Sequence, residues 1–311
     1  MRVRTNINTY DICWLNHVKG GVIGTFYEPE SKAELIELCR SLYKEGKNFD
    51  IIGYTSNIYF LPSYCVDIMV STRKVNQYQE LEDYIIADCG VSVSKLSRVM
   101  VAKGVNGFEG LVDLPGTVGA SVYGNASCYS CSINTLLESF EFLTTDGELK
   151  EMPLEDLALS TRSSSVKRGE LTGVILSVKM RKQYGNIESI RKKAKENHDK
   201  RSATQPGPKD NLGSIYKGVP HLTLINMILI GLSKISAYIL CLFSKNKPIK
   251  TIQKEIFFAL LGSSDLLPYV HSWNRFIWKD EKSHELFWKY HKIHQRLFSE
   301  MSFEIEIKGV K

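Results

Sequence analysis

Apolar residues recur every three to four positions in ESKAELIELCRSLYKEG, with Leu35, Leu38, Cys39 and Leu42 on one face and Gly46 as a stop, which predicts an amphipathic helix. The chain then runs into FDIIGYTSN, an apolar strand that breaks at Gly53 into a Thr55-Ser56-Asn57 turn. YCVDIMVS and YIIADCGV read as further strands, VSKLSRVMVAKG as a helix, LESFEFLTTDGEL as a hairpin around Asp146-Gly147, and GVILSVKMRK as another strand. From about residue 186 the pattern changes to IESIRKKAKENHDKRSATQPGPKDN, a basic helix closed by Pro206, Gly207 and Pro208. The class is mixed α+β, and the expected division is a domain over 1–185, the basic helix and linker over 186–208, and a second domain over 209–311.

Beyond the linker, LTLINMILIGLSKISAYILCLF (222–243) approaches the length of a membrane span. Asn226, Ser233, Lys234 and Ser236 interrupt it, and Lys234 falls near its centre, where a charge is costly in lipid. Buried helices are therefore expected and no transmembrane span. A docking helix on a membrane surface or a partner stays open, because the basic SKNKPIK that follows suits anionic headgroups. A helix over 283–301 would bury Leu286, Tyr290, Ile293 and Leu297, and alternation in the closing FEIEIKG puts Glu304 and Glu306 on one face and Phe303, Ile305 and Ile307 on the other.

Charge and cysteine content narrow the partners. A net charge of +6 on 311 residues suits an anionic small ligand and no nucleic-acid partner. Seven scattered cysteines make no disulfide framework, and the lone CYSC of Cys128 and Cys131 lacks a second ligand pair. His284, His291 and His294 have no carboxylate at metal-ligand spacing, so no metal is expected and the three are placed at the surface or half-buried. The N-terminal stretch has no apolar run of signal-peptide length, which predicts a cytoplasmic chain.

LPGTVGASVYGN (114–125) gathers Gly116, Gly119, Ala120, Ser121 and Gly124 around Pro115. Side chains this small let a backbone turn sharply or let another molecule approach its amides. A nest of N–H groups flanked by the neutral donors Thr117, Ser121 and Asn125 would suit a pyrophosphate; a pair of tight turns between strands would use the same residues. Spacing leaves both readings open.

Taken in order, these segments resemble the UDP-N-acetylenolpyruvoylglucosamine reductase (UDP-N-acetylmuramate dehydrogenase) family over nearly the whole chain. IIGYTSN resembles its strand and flavin turn, GFEGLVDLPGTVGASVYGNASCYS its long glycine-rich signature, and LALSTRSSS the segment bearing a catalytic arginine. RSATQPGPKDNLGSIYKG and FEIEIKG are similar to its later motifs. The resemblance implies a two-subdomain FAD-binding domain of the vanillyl-alcohol-oxidase (PCMH) type followed by an α+β substrate domain. It implies FAD held non-covalently by Gly53, Tyr54, Thr55, Ser56, Asn57 and Ile58 and by Pro115, Gly116, Thr117, Gly119, Ala120, Tyr123, Asn125 and Ala126, with no His in either loop to attach the flavin.

The same resemblance implies an NADPH-using reductase of an enolpyruvyl nucleotide sugar in peptidoglycan precursor synthesis, acting as a monomer. Arg162 would hold the developing enolate, Ser214 would protonate carbon, Glu306 would assist, and Asn211 and Lys217 would bind the nucleotide-sugar substrate. Without the resemblance the same residues read as a surface ion pair, a turn residue and an exposed strand face. The chain departs from the family pattern at Tyr54-Thr55, Ala120, Thr161 and Gly218. Two alternatives thus stay open: a related flavoprotein of surface-polysaccharide synthesis acting on another nucleotide- or lipid-linked sugar, and a non-catalytic FAD-binding homologue.

Overall fold

The computed structural model describes residues 1–15, 18, 20–207, 210–219, 221–243, 248–298 and 301–309. Pro208 of the expected linker and residues 244–247 of SKNKPIK lie outside the described residues. The chain forms two compact units, the first built from Met1–Trp14, Gly21–Ser56 and Pro62–Gln205, the second from Leu15–Gly20, Asn57–Leu61 and Pro206–Lys311.

The first unit opens with β1 (Arg2–Asn8), β2 (Val22–Glu28), α1 (Lys32–Lys44) and β3 (Asp50–Ile52); β4 (Ile58–Phe60) belongs to the second unit, and β5 (Cys65–Ser71) returns to the first. These make a four-stranded sheet of order β1-β2-β5-β3, in which β2 and β3 run parallel to β5 and β1 antiparallel to β2. There follow β6 (Tyr78–Glu80), β7 (Tyr84–Asp88), α2 (Val93–Ala102), α3 (Val118–Tyr123), the short pair β8 (Ser127–Cys128) and β9 (Cys131–Ser132), β10 (Leu137–Thr144), β11 (Leu149–Pro153), α4 (Ser165–Arg168), β12 (Gly173–Arg181) and α5 (Ile187–Thr204). The larger strands form an antiparallel sheet of order β11-β10-β12-β7-β6.

The apolar stripe of α1 explains how the two sheets share one unit. Ser31 caps the helix by accepting from Glu34 N, and Leu35, Cys39 and Leu42 pack with Val70 of the first sheet and Leu143, Val174 and Leu176 of the second. Burying a side chain such as Leu35 contributes about 1.5–3 kcal/mol. A second core joins Ile85, Phe140, Phe142 and Met180 to Leu96 and Met100 of α2, Val118 and Val122 of α3, and Ile190 and Ala194 of α5. The basic helix α5 is thus a packed element of the first unit. Its Lys193 meets Glu109, whose side chain is only 2% exposed, at 3.0 Å. Burial opposes the Glu109 charge, but its own backbone amide, Lys193 and the Gly107 amide keep its pKa below the usual carboxylate range.

The second unit adds α6 (Leu224–Phe243), α7 (Ile249–Leu260), β13 (Val270–Ser272), β14 (Arg275–Phe276), α8 (Ser283–Leu297) and β15 (Glu306–Lys308). Its core is aromatic: Trp278 packs on Tyr59 of β4 at 4.1 Å and on Phe287 of α8 at 4.8 Å between centroids. Three expectations are corrected here. Helix α8 ends at Leu297 rather than 301, because Phe298 is extended, bridges Leu222 and sets its ring on His294. His294 is buried, not superficial: its ring stacks 3.8 Å from Tyr216, and burial, reinforced by His291, pushes its pKa down to about 4. Finally, α6 is not a buried helix, since only 17% of its most apolar 18-residue window is covered.

Candidate functional site

The two loops expected to bind one ligand meet inside the first unit. After β3, Thr55 takes a left-handed φ of 58°, costly for a β-branched residue, and its Oγ1 accepts from Trp14 N at 2.8 Å. Arg73, which the sequence pattern gave no reason to single out, donates to the carbonyls of Gly53 and Ile12 and so holds this turn from the turn that follows β5; burial lowers its pKa. Gly53 lies against the second loop so closely that a Cβ there would come within 2.5 Å of Thr117 Oγ1. Ser56 Oγ donates to Pro115 O at 3.0 Å. Tyr54 lines a neighbouring cavity of about 220 Å³ with Tyr78, Ser92 and Lys95.

In the second loop, residues 118–123 form α3 rather than a pair of turns. Thr117 caps it by accepting from Ala120 N, and Gly119 approaches Cys89 so closely that a Cβ would lie 2.8 Å from the Cys89 Cβ. Gly53 is therefore required by its packing against the Thr117 side chain and Gly119 by its packing against Cys89. Gly116 is different: at φ 143° a Cβ there would find only Ser56 Oγ and Ser121 Oγ, each at 3.8 Å. This is a small cradle bounded by neutral hydroxyls. At the far end of the loop, the buried Asn125 Oδ1 has no hydrogen-bond partner among the described residues. A cradle and an orphaned acceptor among uncharged donors fit an FAD pyrophosphate and its neighbouring polar groups.

The segment bearing Arg162 docks on that far end. Thr161 and Arg162 are the central residues of a turn closed by reciprocal Ser160–Ser163 bonds of 3.0 and 3.1 Å, with Arg162 left-handed at φ 54°. Asn125 Nδ2 donates to Ser160 O at 2.8 Å, Ser164 Oγ donates to Tyr123 O at 2.8 Å, and Arg162 reaches Ser127 Oγ at 2.6 Å. The CYSC stretch is a two-residue hairpin in which Cys128 and Cys131 face each other across β8 and β9; burial raises both thiol pKa values.

In the second unit, Ser214 is half-buried at the head of a segment laced to the C-terminal stretch. Glu304 N donates to Ile215 O at 2.7 Å and Lys217 N to Ser302 O at 2.9 Å. Asn274, also missed in the sequence, exchanges side-chain bonds with Tyr216 N and O at 2.6 and 2.9 Å. Asn211 spends its amide on the loop itself, donating to Pro206 O and Gly207 O and accepting from Gly213 N. Glu306 opens β15, which pairs parallel with β4 in register with Ile58. Regular alternation through FEIEIKG fails: 304–305 bend because their amides both turn to Ile215 O, whereas Glu306 N turns to Asn57 O at 2.8 Å. Asn57 Nδ2 in turn donates to Glu304 O at 3.0 Å, and no cluster of three metal-ligating side chains occurs among the described residues.

Residues 24–153, which contain both loops, match the FAD binding domain family. The UDP-N-acetylenolpyruvoylglucosamine reductase of Carboxydothermus hydrogenoformans is 31% identical over 210 residues, which are 66% of this chain and 69% of that protein. The chain belongs to this reductase family. The family's Caldicellulosiruptor saccharolyticus protein is 31% identical over 203 residues, 65% of each chain. The chain thus spans about two thirds of the length of the curated relatives it matches. Similarity in fold reaches further than similarity in sequence: the crystal structure of the family's Thermus caldophilus enzyme aligns over 99% of both chains at a TM-score of 0.70 with 18% identity. That likeness supports the two-domain α+β fold, with the FAD-binding domain first.

Proposed function

We propose that this chain is an FAD-dependent, NADPH-using reductase that converts the enolpyruvyl ether of UDP-N-acetylglucosamine to UDP-N-acetylmuramate for peptidoglycan. The observation that carries the reading is the meeting of 53–56 with 115–126 at Gly116, with Arg162 fastened to the end of the same loop. Both sets of proposed catalytic groups reside on one chain, which we take to act as a cytoplasmic monomer.

When bound, FAD supplies two-electron redox chemistry between NADPH and the vinyl group of the sugar. The chain's residues handle charge and protons. Pro115 to Ala126 and the Gly53 turn would hold the cofactor through backbone and neutral side chains. Reduction at the terminal vinyl carbon leaves negative charge on the neighbouring enolate, which the permanently cationic, forked Arg162 would stabilise. Ser214 would give its proton to the carbon bearing the carboxylate and recover one from solvent, so that NADPH, a proton and the enolpyruvyl sugar yield NADP⁺ and the lactyl sugar. Glu306 would assist at the developing charge through its carboxyl group. Lys217 would attract the substrate's anionic groups, while Asn211 would shape the Ser214 loop.

The test is anaerobic: the flavin-loaded protein is mixed with NADPH, then with the enolpyruvyl sugar. Bleaching at the first step and recovery of the yellow colour at the second are expected. Bleaching without recovery would sink the substrate assignment, and a protein that takes up no FAD would sink the cofactor assignment.

A further inference from the structure

Helix α6 is built inside out for a helix in water. Its covered stripe holds Asn226, Ser233 and Ala237, each 0% exposed, at spacings of seven and four that fall on one face. Outward stand Leu224, Ile225, Ile235 and Tyr238, each at least 60% exposed. A globular surface helix turns its large aliphatic side chains inward. Small and polar inward with aliphatic outward is the arrangement of a helix whose outer medium is hydrocarbon. Helix α7 packs beside α6 and leaves Ile249 and Leu260 exposed as well. So large an apolar surface needs a cover.

Length and charge discriminate among the covers. The window Leu224–Cys241 is long and apolar enough to cross a membrane, but a span would carry Lys234 near the bilayer centre. Lying in the plane of the membrane, the helix lets the Lys234 stem follow the apolar surface and its ammonium reach the headgroups. Lys250 is exposed at the start of α7 and adds a second cation to the pair. A second copy meeting this face about a two-fold axis would set like charges against each other; an anionic lipid surface complements them.

We propose that the α6–α7 pair docks in plane on an anionic lipid surface, with its outward aliphatic side chains in the acyl boundary and Lys234 and Lys250 at the headgroups. The test is flotation of the purified, full-length protein with phosphatidylcholine vesicles, with and without phosphatidylglycerol. Expected is flotation only with the anionic vesicles, reversed by high salt. Ile225→Asp with Ile235→Asp should abolish it while the far-ultraviolet circular dichroism is unchanged. Lys234→Gln with Lys250→Gln should weaken partitioning roughly thirtyfold, about fivefold for each lysine. Absence of flotation with anionic vesicles, or equal flotation with neutral ones, would overturn the proposal. Retention through alkaline carbonate would replace it with a span, and a wild-type dimer in light scattering that Ile235→Asp dissociates would replace it with a second copy.

Discussion

Arg162 donates two hydrogen bonds to Ser127, one to the hydroxyl at 2.6 Å and one to the carbonyl oxygen at 3.0 Å. A left-handed arginine on a two-residue turn is an unfavourable arrangement that surrounding bonds must hold. Here Asn125 holds the turn through Ser160 O, and Ser127 holds the side chain. The end of the glycine-rich loop and the arginine are therefore one local construction, joined across a sequence gap that no periodicity spans.

Arg162→Lys keeps the charge but loses the fork, so sugar-driven reoxidation of the flavin should slow by about 10²-fold or more. Reduction by NADPH should stay nearly unchanged. Ser127→Ala should produce the same pattern at about tenfold, the equivalent of one lost hydrogen bond. Stopped-flow absorbance separates the two half-reactions, and an equal loss in both would make Arg162 a residue of the fold alone.

Thr55 stands where a glycine would sit without strain, and its hydroxyl is the compensation, because it is the acceptor for Trp14 N. Thr55→Ser should therefore be tolerated within about 0.5 kcal/mol. Thr55→Val keeps the shape and strands the Trp14 N–H, costing about 1–3 kcal/mol in urea denaturation. Equal stability of the two variants would remove the hydroxyl from the account.

What the sequence made legible was local. The stripe of α1, the hairpin of β10 and β11 and the strand before Gly53 follow from residue spacing, and they appear where expected. The glycine loop was legible as a place of close approach, yet spacing could not tell whether a ligand or the chain itself makes the approach. The structure gives both answers within three residues: the chain fills the space at Gly119 and leaves it open at Gly116. Arg73, Ser127 and Asn274 were not legible, since each acts through partners that are distant in sequence. Helix α6 was misread because an apolar composition suggests burial, whereas actual burial depends on what other elements remain to cover it.

Ser214 follows Gly213, left-handed at φ 84°, and its segment is braced by Asn274 and by 302–305. Ser214→Ala should leave flavin content and NADPH reduction intact and slow sugar reduction by about 10²–10⁴-fold. Loss of flavin or of thermal stability in this variant would show that the hydroxyl supports the loop instead.

His294 makes stability depend on pH. Burial, with His291 adding to it, lowers its pKa from the ordinary 6.5 to about 4, and its Nε2 has no hydrogen-bond partner among the described residues. In the unfolded chain the ring takes a proton near its ordinary pKa; in the folded chain it does not until about 4. The unfolded state therefore binds more protons in this window, and stability falls as the pH drops through it. Between neutral pH and about pH 4 the wild type should lose on the order of 2–3 kcal/mol more than His294→Phe. Parallel urea curves at stepped pH measure the difference; parallel losses in both proteins would refute it.

Glu306 occupies a position that is easy to dismiss near the end of the chain, yet it is the first residue of a strand with a fixed register. Its amide is bonded to Asn57 O, its Cα partner is Ile58, and two residues on Leu61 N takes Lys308 O. Alternation within β15 puts Glu306 and Lys308 on one face and Ile307 on the other, whereas Glu304 lies on the preceding bend and is oriented by the Ile215 carbonyl instead. The two carboxylates are therefore held by different elements despite their spacing of two. Glu306→Gln retains shape and backbone pairing and removes the acid, so turnover should collapse by about 10²-fold or more with a melting temperature close to the wild type's. Glu304→Gln should change turnover by less than about threefold. The reverse outcome would transfer the role to Glu304 and to the bend. If neither change affects turnover on the enolpyruvyl sugar, the carboxylate has no part in the chemistry and Ser214 and Arg162 must account for the enolate without it.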